Sequence, residues 1–228
     1  MSERKKNEKL IEPQIVNILI NLFDKVTKSG LIKVSKSGAV LRTGFNAAAK
    51  IKNIDIPWPL VLPDFILVFD DYSSERIDEY LIVAVETKWF KLKNINDKLR
   101  DAYRNFGQPL RNYIYGFDSV ILMHLFDEDI DEDKIKLYTE TTITSIEMLK
   151  LPMVYFSMQI FEKKKLQPQN EVFSIYSPIY IEITNIEYIT SYLSRLTSST
   201  RNPILKNYMF NDKIMKRRAA LKVSLSLP

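Results

Sequence analysis

Asp64, Glu86 and Lys88 are the residues whose types and spacing point most directly to chemistry. Glu86 and Lys88 stand two apart at the end of an apolar run, and on a strand such residues project from the same face. Asp64 opens the preceding apolar run, directly after Pro63. If the two runs pair as neighbours, two carboxylates converge at the edge of a dry core. There they repel each other and lose hydration, so a cation is expected between them. Mg²⁺ fits that demand, with Mn²⁺ as a substitute, because it takes oxygen ligands, keeps several waters and leaves room for substrate phosphate. A lysine beside such a pair can orient an attacking water and stabilise charge on a phosphate. Phosphodiester hydrolysis is the reaction for which this set makes most sense.

The elements that must position these residues are legible in outline. Residues 65–69 and 81–85 are nearly continuous Val, Ile, Leu and Phe, the pattern of strands covered on both faces. Upstream, Ile11, Ile15, Ile18, Leu19, Leu22 and Val26 recur at helical spacing, and Gly30 ends the run. Residues 31–34 and 39–41, around Ser37-Gly38, suggest a hairpin, followed by a loop containing Gly44. Residues 96–115 read as a helix with a break at Gly107 and Pro109, and residues 119–126 as a further strand. The order is thus α-β-β-β-α-β. Beyond it come a short helix near 145–150, strands near 154–161 and 172–183, a helix near 186–196, and a basic, helical tail from about 203. Residues 1–126 are expected to form the core and 127–228 an α+β elaboration packed on the same domain.

Pro63-Asp64 followed by Glu86-Thr87-Lys88 resembles the PD-(D/E)XK signature of restriction-endonuclease-like nucleases. The α-β-β-β-α-β order is similar to that superfamily's core, an α/β fold with a mixed central sheet. Archaeal Holliday-junction resolvases and small nucleases of crenarchaeal viruses are the nearest in appearance. The resemblance spans roughly residues 8–126. It implies an endonuclease acting on DNA, branched DNA included, with Asp64, Glu86 and Lys88 catalytic. Asp64 and Glu86 would bind the metal, with an upstream carboxylate, Glu12 or else Glu8, completing the set. The alternative is a catalytically inactive DNA-binding or assembly protein that retains the fold. A helix after the lysine often carries a Gln facing the site, and Gln108 with Tyr113 is similar to that element, at a spacing one longer than Gln-x-x-x-Tyr. Resolvase-like action implies a homodimer, because paired cuts need paired sites.

Composition agrees with a nucleic-acid partner without requiring one. The net charge is +5 and the sequence pI about 9.1. Lys91, Lys93 and Lys98 follow Lys88, where they can flank a phosphate backbone. Lys213, Lys216, Arg217, Arg218 and Lys222 concentrate further positive charge near the C-terminus, read singly as a solvated helix face or a disordered tail. There is no cysteine, which excludes disulfides and thiolate zinc sites and suits a reducing, cytoplasmic compartment. No apolar run is long enough to span a bilayer, and no membrane partner is expected. Glycine-rich phosphate-binding motifs are absent, so no nucleotide cofactor is expected. The acidic run 127–133 lacks the Gly and Glu that an EF-hand loop needs and reads as a charged turn. His124, the single histidine, lies inside an apolar run and reads as a packed core residue.

Overall fold

β-Branched and bulky apolar side chains favour extended backbone, and the two richest such runs form adjacent strands. The computed structural model describes residues 31–36, 39–51, 53, 63–70, 80–90, 105–127, 129–160, 173–175, 181–183, 201–206 and 212–228. Their first half comprises β1 (Leu31–Lys36), α1 (Ala39–Ile51), β2 (Phe65–Asp70), β3 (Tyr80–Phe90), α2 (Gly107–Ile114) and β4 (Ser119–Asp127). The second half comprises α3 (Glu132–Met148), β5 (Val154–Ile160), β6 (Phe173–Ile175), β7 (Ile181–Ile183), α4 (Pro203–Lys206) and α5 (Asp212–Ser224). The fold is α/β. Its main sheet has five strands in the order β1-β2-β3-β4-β5, while β6 and β7 pair antiparallel in a separate ribbon. β1, β2 and β3 pair antiparallel, whereas β3-β4 and β4-β5 are parallel, so the sheet is mixed.

Both faces of the central strands are buried. Ile66, Val68, Ile82, Ala84 and Val120 share one face and pack with Phe45, Ala48 and Ala49 of α1 and Ala220 and Leu221 of α5. Further along the same face, Leu122 packs with Phe106, Ile146 and Tyr155, and Phe90 and Phe126 pack with Ile135 and Tyr138. Alternate residues Phe65, Leu67, Phe69, Leu81, Val83 and Val85 are equally buried on the opposite face. No helix among the described residues is long and apolar enough to cross a membrane.

Three local expectations are corrected. Residues 39–41, expected as the second strand of a hairpin, are the first turn of the 13-residue helix α1, which also contains Gly44. Three apolar residues carry no readable period, and the deciding signal lies downstream. Phe45, Ala48 and Ala49 fall at helical spacing within an alanine-rich stretch. Among the described residues the order before β5 is therefore β-α-β-β-α-β-α. The short helix near 145–150 is the end of a 17-residue helix, α3. Its N-cap, Asp131, accepts from the amides of Asp133 and Lys134, so the acidic run is a helix start as much as a turn. Thr141, Thr142 and Ser145 donate their hydroxyls to carbonyls four residues back, which satisfies those hydroxyls within the helix. The helix expected from Ile11 and the helix near 186–196 lie outside the described residues.

The third correction concerns the basic tail. Arg217 and Arg218 lie in the interior, not on a solvated face or in a disordered tail. Arg218 donates to the Asp118 carboxylate at 2.7 Å and to the carbonyls of Gly116 and Tyr80, and Arg217 donates to that of Ile114. The same Asp118 oxygen accepts the amide of Ile82 in β3 at 2.7 Å. Gly116, at φ +91°, lets the chain pass this close, since an added Cβ would lie 2.8 Å from the Cβ of Arg218. Asn202 donates to the carbonyls of Tyr113 and Phe117. The C-terminal segment is thereby tied to the turn between α2 and β4.

Replacing Arg218 with Met strands the Asp118 charge in the interior and should cost about 3–5 kcal/mol of unfolding free energy. Adding Asp118→Asn should return a good part of that loss. Urea unfolding of the single and double variants measures both effects. A double variant no more stable than Arg218→Met would mean that the pair is not the source of the loss.

Candidate active site

β3 runs for 11 residues, through Glu86 and Lys88 to Phe90, rather than stopping at residue 85. Glu86 and Lys88 therefore occupy the middle of a strand, between the apolar Ala84 and the apolar Phe90 on one face. Glu86 is only 1% exposed. Phe65 of β2 pairs with Val85 of β3, which brings Asp64, one step earlier in the antiparallel partner, alongside Glu86 and Thr87. An Asp64 carboxylate oxygen accepts the Thr87 amide at 2.7 Å, fixing that carboxylate across the strand gap.

Helix α2 supplies the other wall. It begins at Gly107 with Pro109 in its first turn, where a missing amide hydrogen costs nothing. Gln108 accepts a hydrogen bond from the Lys88 ammonium through its side-chain carbonyl. Asn112, one turn later and fully buried, donates to Glu86 Oε1 at 3.0 Å. Arg111 lies between them in sequence and near enough to favour the charged form of Glu86.

Burial dominates the electrostatics. Desolvation, then the neighbouring Asp64 charge, raises the Glu86 carboxyl to about 7; the Asn112 hydrogen bond, Lys88 and Arg111 pull the other way. Asp64 is also raised, chiefly by desolvation, against the Thr87 amide and Lys88. At neutral pH the pair is thus short of positive charge, and a small divalent cation with retained waters would relieve the shortage. The donor set is all oxygen. Among the described residues, no third His, Cys, Asp or Glu joins these two carboxylates in a group able to hold a metal ion.

The structure brings Asp64, Glu86, Lys88 and Gln108 together. Glu12, Glu8, Lys91, Lys93 and Lys98 lie outside the described residues. Tyr113 joins the apolar cluster of α1 and α5 instead of a pair with Gln108 at the site. The position four residues after Gln108 is Asn112, and that is the one touching Glu86. Asn112 and Arg111 escaped the sequence reading. The available signal was their spacing of four and three from Gln108, which puts all three on one side of a helix. His124 is buried among Phe90, Phe126, Tyr138 and Tyr155, hydrogen-bonded through Nδ1 to the Tyr155 hydroxyl at 2.9 Å. Burial lowers its pKa to about 3, so it is a neutral core residue.

Neither protein-family models nor curated proteins match this chain.

The raised Glu86 carboxyl sets a pH dependence of stability. Between the ordinary value of 4.5 and about 7, the folded protein holds a proton that the unfolded chain releases. This contribution is complete below the lower value and is lost as pH rises through the upper one. Relative to Glu86→Gln, metal-free wild type should lose up to about 3 kcal/mol between pH 4.5 and 8. Denaturant titrations of the two proteins across that range measure the difference, and a constant gap would refute the assignment.

Proposed function

We propose that this chain is a Mg²⁺-dependent DNA endonuclease with a restriction-endonuclease-like core of the PD-(D/E)XK type. The observation that carries the reading is the β2–β3 register. It sets Asp64 beside Glu86 and leaves Lys88 on the same face, one residue pair further along. The mixed sheet order and a site-facing helix directly before the parallel strand β4 also support it.

Asp64 and Glu86 would hold the ion, with Mn²⁺ able to replace Mg²⁺ and Glu12 or Glu8 as a further ligand. When bound, the ion supplies Lewis acidity and a more acidic water. Lys88 would orient an attacking water and stabilise charge on the phosphate, while Gln108 holds the ammonium in place. Asn112 fixes the rotamer of Glu86, so the carboxylate stays aimed while its charge changes. Lys91, Lys93 and Lys98 extend the positive path for the strand backbone. Paired cuts in branched DNA would require two such sites, and sedimentation equilibrium tests the implied homodimer.

One observation favours a second reading, a non-catalytic DNA-binding or assembly protein that keeps the fold. Asp64, Glu86 and Lys88 each already have a partner within the chain, as members of a structural charge cluster would.

Incubation with linear and branched DNA should give cleavage with Mg²⁺ or Mn²⁺ and none in excess EDTA. Asp64→Asn and Glu86→Gln should each lower the rate by at least about a hundredfold, with DNA affinity unchanged or improved as negative charge is removed. Lys88→Ala should also stop cleavage, keep metal binding, and reduce the salt-dependence slope of DNA binding by about one at most. Wild-type cleavage by Glu86→Gln sinks the metal-site reading. Folded protein that binds DNA but never cuts it, with or without metal, supports the second reading.

A further inference from the structure

Arg111 answers the Glu86 charge at a distance, but that does not account for its own hydrogen-bond donors. Its Nε and Nη2 atoms are buried and have no hydrogen-bond partner among the described residues. These two nitrogens are the ones that share an edge of the planar guanidinium, so their N–H bonds point the same way. That edge matches a pair of oxygens on one phosphorus or carbon. A buried guanidinium edge left dry costs the desolvation of two charged donors, a cost that a bound oxyanion or water would offset. The position is also specific. Arg111 lies three residues after Gln108, which holds Lys88, and directly before Asn112, which holds Glu86.

We propose that the Nε/Nη2 edge of Arg111 is a bidentate seat for a backbone phosphodiester of the nucleic-acid strand, beside the Asp64–Glu86 pair. This inference rests on the nuclease reading and names the contact that holds the strand against the carboxylates. Lys88 acts as a point charge already held by Gln108, whereas the Nε/Nη2 edge of Arg111 is a buried pair of donors without a partner among the described residues. The strand is thereby oriented as well as attracted.

The test uses a thymidine dinucleoside phosphate and, separately, inorganic phosphate, titrated into ¹⁵N-labelled full-length protein. Glu86→Gln serves as the background, so that carboxylate repulsion does not oppose binding and no metal is needed. The Arg111 Nε–H resonance should shift saturably with the diester, together with the amides of α2. Adding Arg111→Met should weaken binding by at least about tenfold, and Arg111→Lys should restore only part of it, because charge without the fork is insufficient. An Arg111→Met protein that binds the diester as well as its parent overturns the seat, as does an Nε–H that never moves. Tighter binding of inorganic phosphate than of the diester overturns the assignment to a strand backbone. A Mg²⁺ cleavage assay on the otherwise wild-type chain separates this proposal from the one beneath it. Diester binding through Arg111 without any cleavage leaves the seat standing and removes the nuclease. Cleavage unchanged in Arg111→Met, with no Nε–H shift, does the reverse.

Discussion

A carboxylate held almost dry in the middle of a β-strand is the constraint around which the described structure is organised. Glu86 cannot reach solvent, so its charge must be answered by groups the fold brings to it. Asn112 answers with a hydrogen bond and Lys88 and Arg111 with charge, while Asp64 adds repulsion instead. A structural role alone would be met more cheaply by an apolar residue, as at Ala84 two positions earlier.

Holding that arrangement depends on α2, and α2 is held from behind. Its last turn and the turn that follows meet the C-terminal segment through Asn202, Arg217 and Arg218. Asp118 gathers these ties at one point by accepting both Arg218 and the backbone of β3. The helix face carrying Gln108, Arg111 and Asn112 is therefore positioned against β3 by residues about a hundred positions away in sequence. Loosening that anchor would move the amides that hold Lys88 and Glu86. The site helix and the C-terminal segment are thus linked through the buried Asp118–Arg218 pair together with the Asn202 and Arg217 contacts.

What could be read from the sequence follows from short range. The alternation of side chains along a strand placed Glu86 and Lys88 on one face, and unbroken apolar runs marked β2, β3 and β4 as central. A three-residue run such as 39–41 holds too little period to separate helix from strand, and the threonine-rich α3 disguises its helix behind β-branched residues. For that reason α1 and most of α3 were not legible.

Residue type and local backbone alone make Asp64, Glu86 and Lys88 legible as candidate site residues and show the faces from which strand residues project. Three features appear only with the three-dimensional packing: Asp64 meets Thr87 across the strand gap, Asn112 faces Glu86, and Arg218 is an interior anchor. Those outcomes depend on sheet register and on burial. Both come from pairing segments far apart in the chain, where no local preference can distinguish a solvated arginine from a buried one.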